Sequence, residues 1–403
     1  MIRLIVVISF LAHVFISCNN IEESGMDLPD VENLTFGNIE TDLPIINLEV
    51  DEQEWYFMVG NPHAKIYTKA LFNYINDTVV SNAPVYLRIK GHASVKYSLK
   101  SLEIIFDEEI DNRGLKLFSY FEGYANENWE RIKNFRLRNS GQDFTKTMMK
   151  DKALTKLAER SNLDVLMMRT GSAAQVFVNN SYYGLLNIRS ESNLRSIASL
   201  ENVDTSQVVV YKVDVDNGNI EHNEGDIGLT TDLESAIDRG DPIEISSLVD
   251  ESSFIDYVIF QDYIGNIDWP HNNIRMYSVS GAPFRFVLYD LDHASEKTKN
   301  PLMPELEYVS HDLGKVYRAF KKVNGFEVRL KKRQEILYTY WSPTSFNSIV
   351  ADMRNEIDKA IFYQIAKHSF PTSFYKWNWE TEKMLRDFER RDHFIRKKYN
   401  SKQ

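Results

Sequence analysis

One cysteine, Cys18, stands in 403 residues, so no disulfide forms within the chain and a disulfide-stapled scaffold is excluded. Glycine and proline are sparse, at 17 and 11, which excludes collagen-like and low-complexity architectures. No internal repeat is present. Positive charge is in deficit: 47 Lys and Arg face 58 Asp and Glu, a formal charge of −11. A nucleic-acid binder needs a basic face to displace counterions, so nucleic acid is not an expected partner. What the chain has in quantity is apolar side chains, 43% hydrophobic and 12% aromatic, with 23 Phe and 21 Tyr. That composition excludes disorder and builds a core of one large bilobal domain or two ordinary ones.

The lone cysteine closes the segment MIRLIVVISFLAHVFISC. One Arg3, an apolar run from Leu4 to Phe15 and a small Ser17 have the layout of a secretory leader, too short to span a bilayer comfortably. Residues 15–18 resemble a bacterial lipobox, which makes residues 1–17 a lipoprotein signal peptide and Cys18 the acylated first residue of the mature chain. Two or more acyl chains would hold the protein on a membrane without a spanning helix. Residues 19–24, with Glu22 and Glu23, are similar to the short acidic tag of surface-displayed lipoproteins of the Bacteroidetes type. The expectation is a cell-envelope lipoprotein of the outer membrane, either periplasmic or displayed on the surface, on a flexible tether over residues 18–42.

Ordered structure is expected to begin with LPIINLEV. Residues 84–106 hold two β-patterned runs separated by Gly91, His92, Ala93 and Ser94, and read as a strand pair. From Thr145 to Arg160 apolar residues recur at three-to-four spacing, a helix opened by Asp143 or Thr145 as cap. AAQVFV and YYGLLNI flank Asn179, Asn180 and Ser181, a hairpin signal. Beyond Ser190 the chain is mostly helical, apart from the β-like VVVYKV and FRFVLYDLD. The basic run from Lys315 to Arg333 reads first as a solvated helix face and second as a dock for acidic substrate.

Residues 261–294 are the most informative. They hold Asp268, Asn273 five positions on, and Asp290 at the end of an apolar β-like run, followed by Leu291 and Asp292. Phosphoryl transfer needs a carboxylate to orient the acceptor hydroxyl, hard oxygen ligands for a metal on the phosphates, and a cation on the α and β phosphates. Protein kinases place the base and a metal-binding Asn five residues apart and follow them, after a hairpin, with a metal-binding Asp. Asp268, Asn273 and Asp290 follow that order. Upstream, Lys100 in SLKSLEIIF is the strand lysine, and Asp151 on the following helix is the acid expected to fix it.

Six pieces of sequence carry a family resemblance: RIKGHASVKYSLKSLEIIF, DFTKTMMKDKALTKLAERSNL, FVNNSYYGLLNIRSESN, VYKV, GNIDWPHNNIRMYSV and YDLD. In this order the chain resembles the CotH family of spore-coat and secreted atypical protein kinases. The resemblance implies an α+β, diverged protein-kinase-like bilobal fold, with a β-rich N-lobe over residues 43–190 and a helical C-lobe over residues 191–403. It implies ATP with Mg²⁺ or Mn²⁺ and transfer to Ser or Thr of proteins. By position it makes Asp268 the catalytic carboxylate, Asn273 and Asp290 metal ligands, and Lys100, supported by Asp151, the phosphate contact. The family's usual residues are altered at the loop from Gly91 to Ser94, at Lys150 before the helix acid, and at Asn180–Ser181 in the hairpin turn. Because nucleotide is scarce outside the cell, the alternative is a catalytically weak or inactive kinase-like surface lipoprotein acting as an adhesion or binding module.

Overall fold

The β-patterned runs of the first half do form strands, but they close on themselves. In the computed structural model, which describes residues 28–76, 79–106, 134–213, 223–295 and 301–400, seven strands make a barrel. They are β1 (Ile45–Val50), β2 (Thr68–Asn76), β3 (Val79–Lys90), β4 (Ser101–Phe106), β5 (Asn134–Arg138), β7 (Thr170–Val178) and β8 (Ser181–Ser190), in the order β1-β2-β3-β4-β5-β8-β7. Closure depends on β1, which pairs antiparallel with β2 and parallel with β7, Leu48 opposite Val178. The leader 1–17 and Cys18 lie outside the described residues.

A second sheet of four strands, β6 (Leu166–Met167), β9 (Val208–Val213), β10 (Ile274–Val279) and β11 (Arg285–Leu288), runs in the order β6-β11-β10-β9. It draws β6 from the first half and the other three from the second. The expected protein-kinase-like bilobal fold, with its β-rich N-lobe, is thereby overturned. The structure is a mixed α+β assembly of a closed barrel, this second sheet and, among the described residues, eleven helices. Alternation of apolar residues predicts strands well; it does not predict that β1 will find an edge some 130 positions away and seal it.

Local chemistry explains the elements that hold the site. The β7–β8 turn is Asn179–Asn180, both at positive φ, which Asn tolerates and a two-residue hairpin of this type requires. Helix α1 (Glu52–Gly60) is capped by Asp51, whose carboxylate accepts from Gln53 and Glu54. Helix α2 (Lys150–Glu159) starts five residues later than its apolar pattern suggests. Its cap is remote: Asp143 accepts the backbone N–H of Met149 and Lys150, both at 3.0 Å, so the intervening turn stays non-helical. Helices α3 (Leu194–Glu201), α4 (Ile227–Arg239) and α5 (Pro242–Leu248) lead to α6 (Glu251–Ile264), which is buried on every side. Helices α7 (Asp312–Phe320), α8 (Phe326–Leu337), α9 (Pro343–Ile357), α10 (Ala360–His368) and α11 (Phe374–Asn400) complete the chain. Among the described residues no helix is long and apolar enough to cross a membrane.

Candidate functional site

The site is built on one face of the barrel. On β5 the alternation Phe135-Arg136-Leu137-Arg138 turns the apolar pair into the core, where Phe135 meets Phe72 and Phe106, and the two arginines outward. Register with β8 sets Arg189 opposite Arg136, so three guanidinium groups share that face. The second sheet supplies the acids. Beyond β11, Asp290 sits at φ +58° and starts a turn that carries Leu291 and Asp292 back towards the arginines.

Arg138 is the hub. Its Nη2 contacts Asp290 Oδ1 and lies 3.2 Å from Asp292 Oδ2, while its Nε lies 3.2 Å from Asp151 Oδ2. Arg189 also pairs with Asp151, whose other oxygen accepts the Leu291 N–H at 2.8 Å. The helix acid therefore fixes both the cation and the backbone between the two strand-end carboxylates. Asp292 further accepts the Gln142 N–H at 2.8 Å. Gly141 sits so close that a Cβ there would collide with Asp292 and crowd Arg138.

Three carboxylates, Asp151, Asp290 and Asp292, crowd the two guanidinium groups that touch them, Arg138 and Arg189. Burial, and then the charge of Asp290, push the Asp292 carboxyl up to about 6. Burial opposes ionisation of Asp290 too, but Arg138 and Arg136 hold its carboxyl below the usual range. Exposure separates the pair: the Asp290 side chain is 29% open and that of Asp292 only 5%. Both are hard oxygen donors, and an added divalent cation would relieve their repulsion, so the donor chemistry fits Mg²⁺ or Mn²⁺.

An outer tier of charge frames the same cleft. Arg136 grips Glu191 with two N–H groups at 2.5 and 2.9 Å, and Lys90 lies 3.5 Å from Glu103 and 3.8 Å from Glu191. Arg275 donates to the Ser192 carbonyl at 2.8 Å and stacks on Tyr289 at 4.6 Å. Tyr289, Met168, Ser190 and Ser192 line the cleft with the charged groups. The turn over residues 266–273, which carries the candidate base Asp268 and is called the base turn below, adjoins it: after Gly265 ends α6, Asn273 donates to Asp268 Oδ2 at 3.2 Å. Arg275 pairs with Val287 across β10 and β11, so Asn273 and Asp290 emerge at the same end of that ribbon. The Ile267 N–H meets the His293 carbonyl at 3.4 Å and ties the base turn to the acidic one.

A family model described as CotH kinase protein matches residues 87–395. The chain belongs to the CotH kinase family. The match takes in the barrel face, the base turn, both strand-end acids and most of α11, and membership makes the protein kinase-like. At that level it implies use of ATP with a divalent cation. No curated protein matches the chain.

In this CotH family member the structure brings Asp268 beside Asn273 and Asp151 beside Asp290 and Asp292. It does not join Lys100 to Asp151. Lys100 precedes β4 instead of lying in it, and its Nζ donates to the carbonyls of Val95 and Tyr97 at 2.9 and 3.0 Å. Asp151 takes Arg138 and Arg189 as partners, because the outward face of β5 and β8 reaches α2 first. Lys100 is near the acids only through its loop: Tyr97 donates to Gln142 Oε1 at 2.8 Å, and Gln142 donates to Asp292. Arg138, Arg189 and Asp292 are the residues that the motif reading undervalued. The F-R-L-R alternation was a usable signal for the first of them.

The basic run has mostly intramolecular partners: Arg318 donates to the carbonyls of Leu306, Glu307 and Val309, Arg329 pairs with Glu251 and Arg333 with Asp256.

Proposed function

We propose that this chain is an extracytoplasmic protein kinase, moving the γ-phosphoryl group of ATP to Ser or Thr of a protein with Mg²⁺ or Mn²⁺. The observation that supports this reading best is the crowding of Asp290 and Asp292 on one shared guanidinium, Arg138, at the end of the ribbon that also carries Asn273. Protein kinases pair a strand cation with a helix acid beside the metal carboxylate, and here Arg138 with Asp151 takes that part.

Asp268 accepts the proton of the acceptor hydroxyl as the new O–P bond forms and the bond from the γ-phosphorus to the ADP oxygen breaks. Asn273, donating to the same carboxylate, holds its orientation, and its amide oxygen would be the group that serves a cation. Asp290 and Asp292 are the carboxylates that would hold a divalent ion, which when bound would supply charge neutralisation on the phosphates. Arg138, whose Nε is held by Asp151, is the guanidinium that would offer N–H donors to phosphate oxygens beside Asp290. Of the two cations, Arg138 is thus the phosphate contact and Lys100 shapes the loop from Gly91. Positioning and electrostatics supply most of the rate.

A soluble form lacking residues 1–18, given labelled ATP and Mn²⁺, should label itself or an added protein. Asp268→Asn should abolish the label while the melting curve stays that of the native protein. A well-folded native protein that incorporates none leaves the adhesion module as the function. Lipidation at Cys18 and display on the cell envelope belong to the same proposal; Cys18→Ser should move the chain from the membrane to the soluble fraction, and retention there would refute the anchor.

A further inference from the structure

Two imidazoles meet beside the base turn that the proposed phosphoryl transfer does not use. His271 is exposed on the base turn, three residues after Asp268. His311 stands 40 positions later at the N-cap of α7, partly buried, and its side chain caps nothing. Their ring centres lie 5.7 Å apart with planes inclined at 80°. Both ring nitrogens of His311 are shielded from solvent and lack a hydrogen-bond partner. A buried polar nitrogen without a partner is an unfavourable arrangement unless something binds it.

We propose that His271 and His311 form a second cation site, for a nitrogen-preferring divalent transition metal such as Zn²⁺. A metal about 2.0–2.1 Å from one nitrogen of each ring sets the ring centres roughly 5–6 Å apart, as they are here. The nearby charges are committed elsewhere. Asp312 accepts from Tyr211 at 2.6 Å and lies 3.7 Å from Lys315, and Arg318 is bound to three carbonyls. Among the described residues no group of three His, Cys, Asp or Glu forms a metal cage, so the remaining positions go to water. Imidazole selects Zn²⁺, Ni²⁺ or Cu²⁺ over Mg²⁺, which keeps this site chemically distinct from the carboxylates of the cleft. A bound ion would tie the turn carrying Asp268 to α7 and restrain it.

The test uses the full chain, stripped of metal and without nucleotide, titrated with Zn²⁺ in excess Mg²⁺ by calorimetry, and with Cu²⁺ by electron paramagnetic resonance. One ion per chain is expected, with nitrogen hyperfine splitting from two imidazoles. His271→Ala and His311→Ala should each weaken Zn²⁺ binding tenfold or more, and Asp290→Ala should leave it unchanged. His311→Asn, which restores a capping side chain to α7, guards against a folding artefact: it should melt no lower than the native protein and still lose the ion. Binding that survives both His311 variants, a spectrum without nitrogen coupling, or dependence on Asp290 would overturn the proposal. Because no nucleotide is present, the outcome is independent of whether the chain transfers phosphate.

Discussion

Two buried ion networks in this protein look alike on paper and differ in kind. Under the last helix, Arg391 and Asp262 are sealed, with side chains 1% and 0% exposed. Asp262 is answered on each oxygen: Oδ1 accepts from Leu302 at 2.6 Å and Arg391 at 3.3 Å, and Oδ2 accepts from Tyr399 at 2.6 Å. In the cleft, Asp290 and Asp292 share Arg138, and one of the two carboxylates is open to solvent. Matched and closed charge ties elements together, whereas crowded and open charge awaits a cation.

The contrast can be broken most forcefully at Asp262. Asp262→Ala takes the counter-charge from the buried Arg391 guanidinium and a partner from Leu302 and Tyr399, and should cost about 3–5 kcal/mol of stability, lowering the unfolding midpoint by several degrees. A midpoint that does not move would show that the two networks are not different in kind.

Asp290→Ala should do the reverse, leaving the metal-free midpoint nearly in place and removing the stabilisation by Mn²⁺ with ATP. For a ligand at about 100 times its Kd that stabilisation is roughly 2.7 kcal/mol, large enough to read in a thermal shift. A shift that survives the substitution transfers the ligand role to Asp292.

The smallest effect sharpens the comparison. Asp292 has a folded pKa of about 6, above its ordinary 3.8, so between those values the folded state holds the proton that the unfolded state has released. Its contribution therefore favours folding as pH falls from above 6 towards 4, and is a penalty at neutral pH. Asp292→Asn should raise metal-free stability at pH 7.5 by about 1–2 kcal/mol, with the gain shrinking at pH 5 and vanishing when Mn²⁺ is added. Equal gains at both pH values would place the effect in packing, not in charge.

Local signals told much of this in advance. Asn179–Asn180 marked its hairpin because few residues accept two positive φ values in succession. Asp268 and Asn273 share one turn, so their spacing survived folding as a hydrogen bond. Lys100 misled because its apolar-flanked setting looks like a strand, while the chain spends that lysine on the carbonyls of Val95 and Tyr97. Arg138 and Arg189 lie 51 positions apart and become neighbours only when β5 pairs with β8. His311 was silent for the same reason, being distant in sequence from His271.

Family membership, the kinds of element and the acids at the strand end were fixed by the order of residues, since alternation, turn chemistry and short spacings act within a few positions. Barrel closure, the choice of Arg138 over Lys100 and the meeting of two histidines were decided in three dimensions. Strand register and burial choose partners across tens of residues, and no local pattern records which edge a strand will meet.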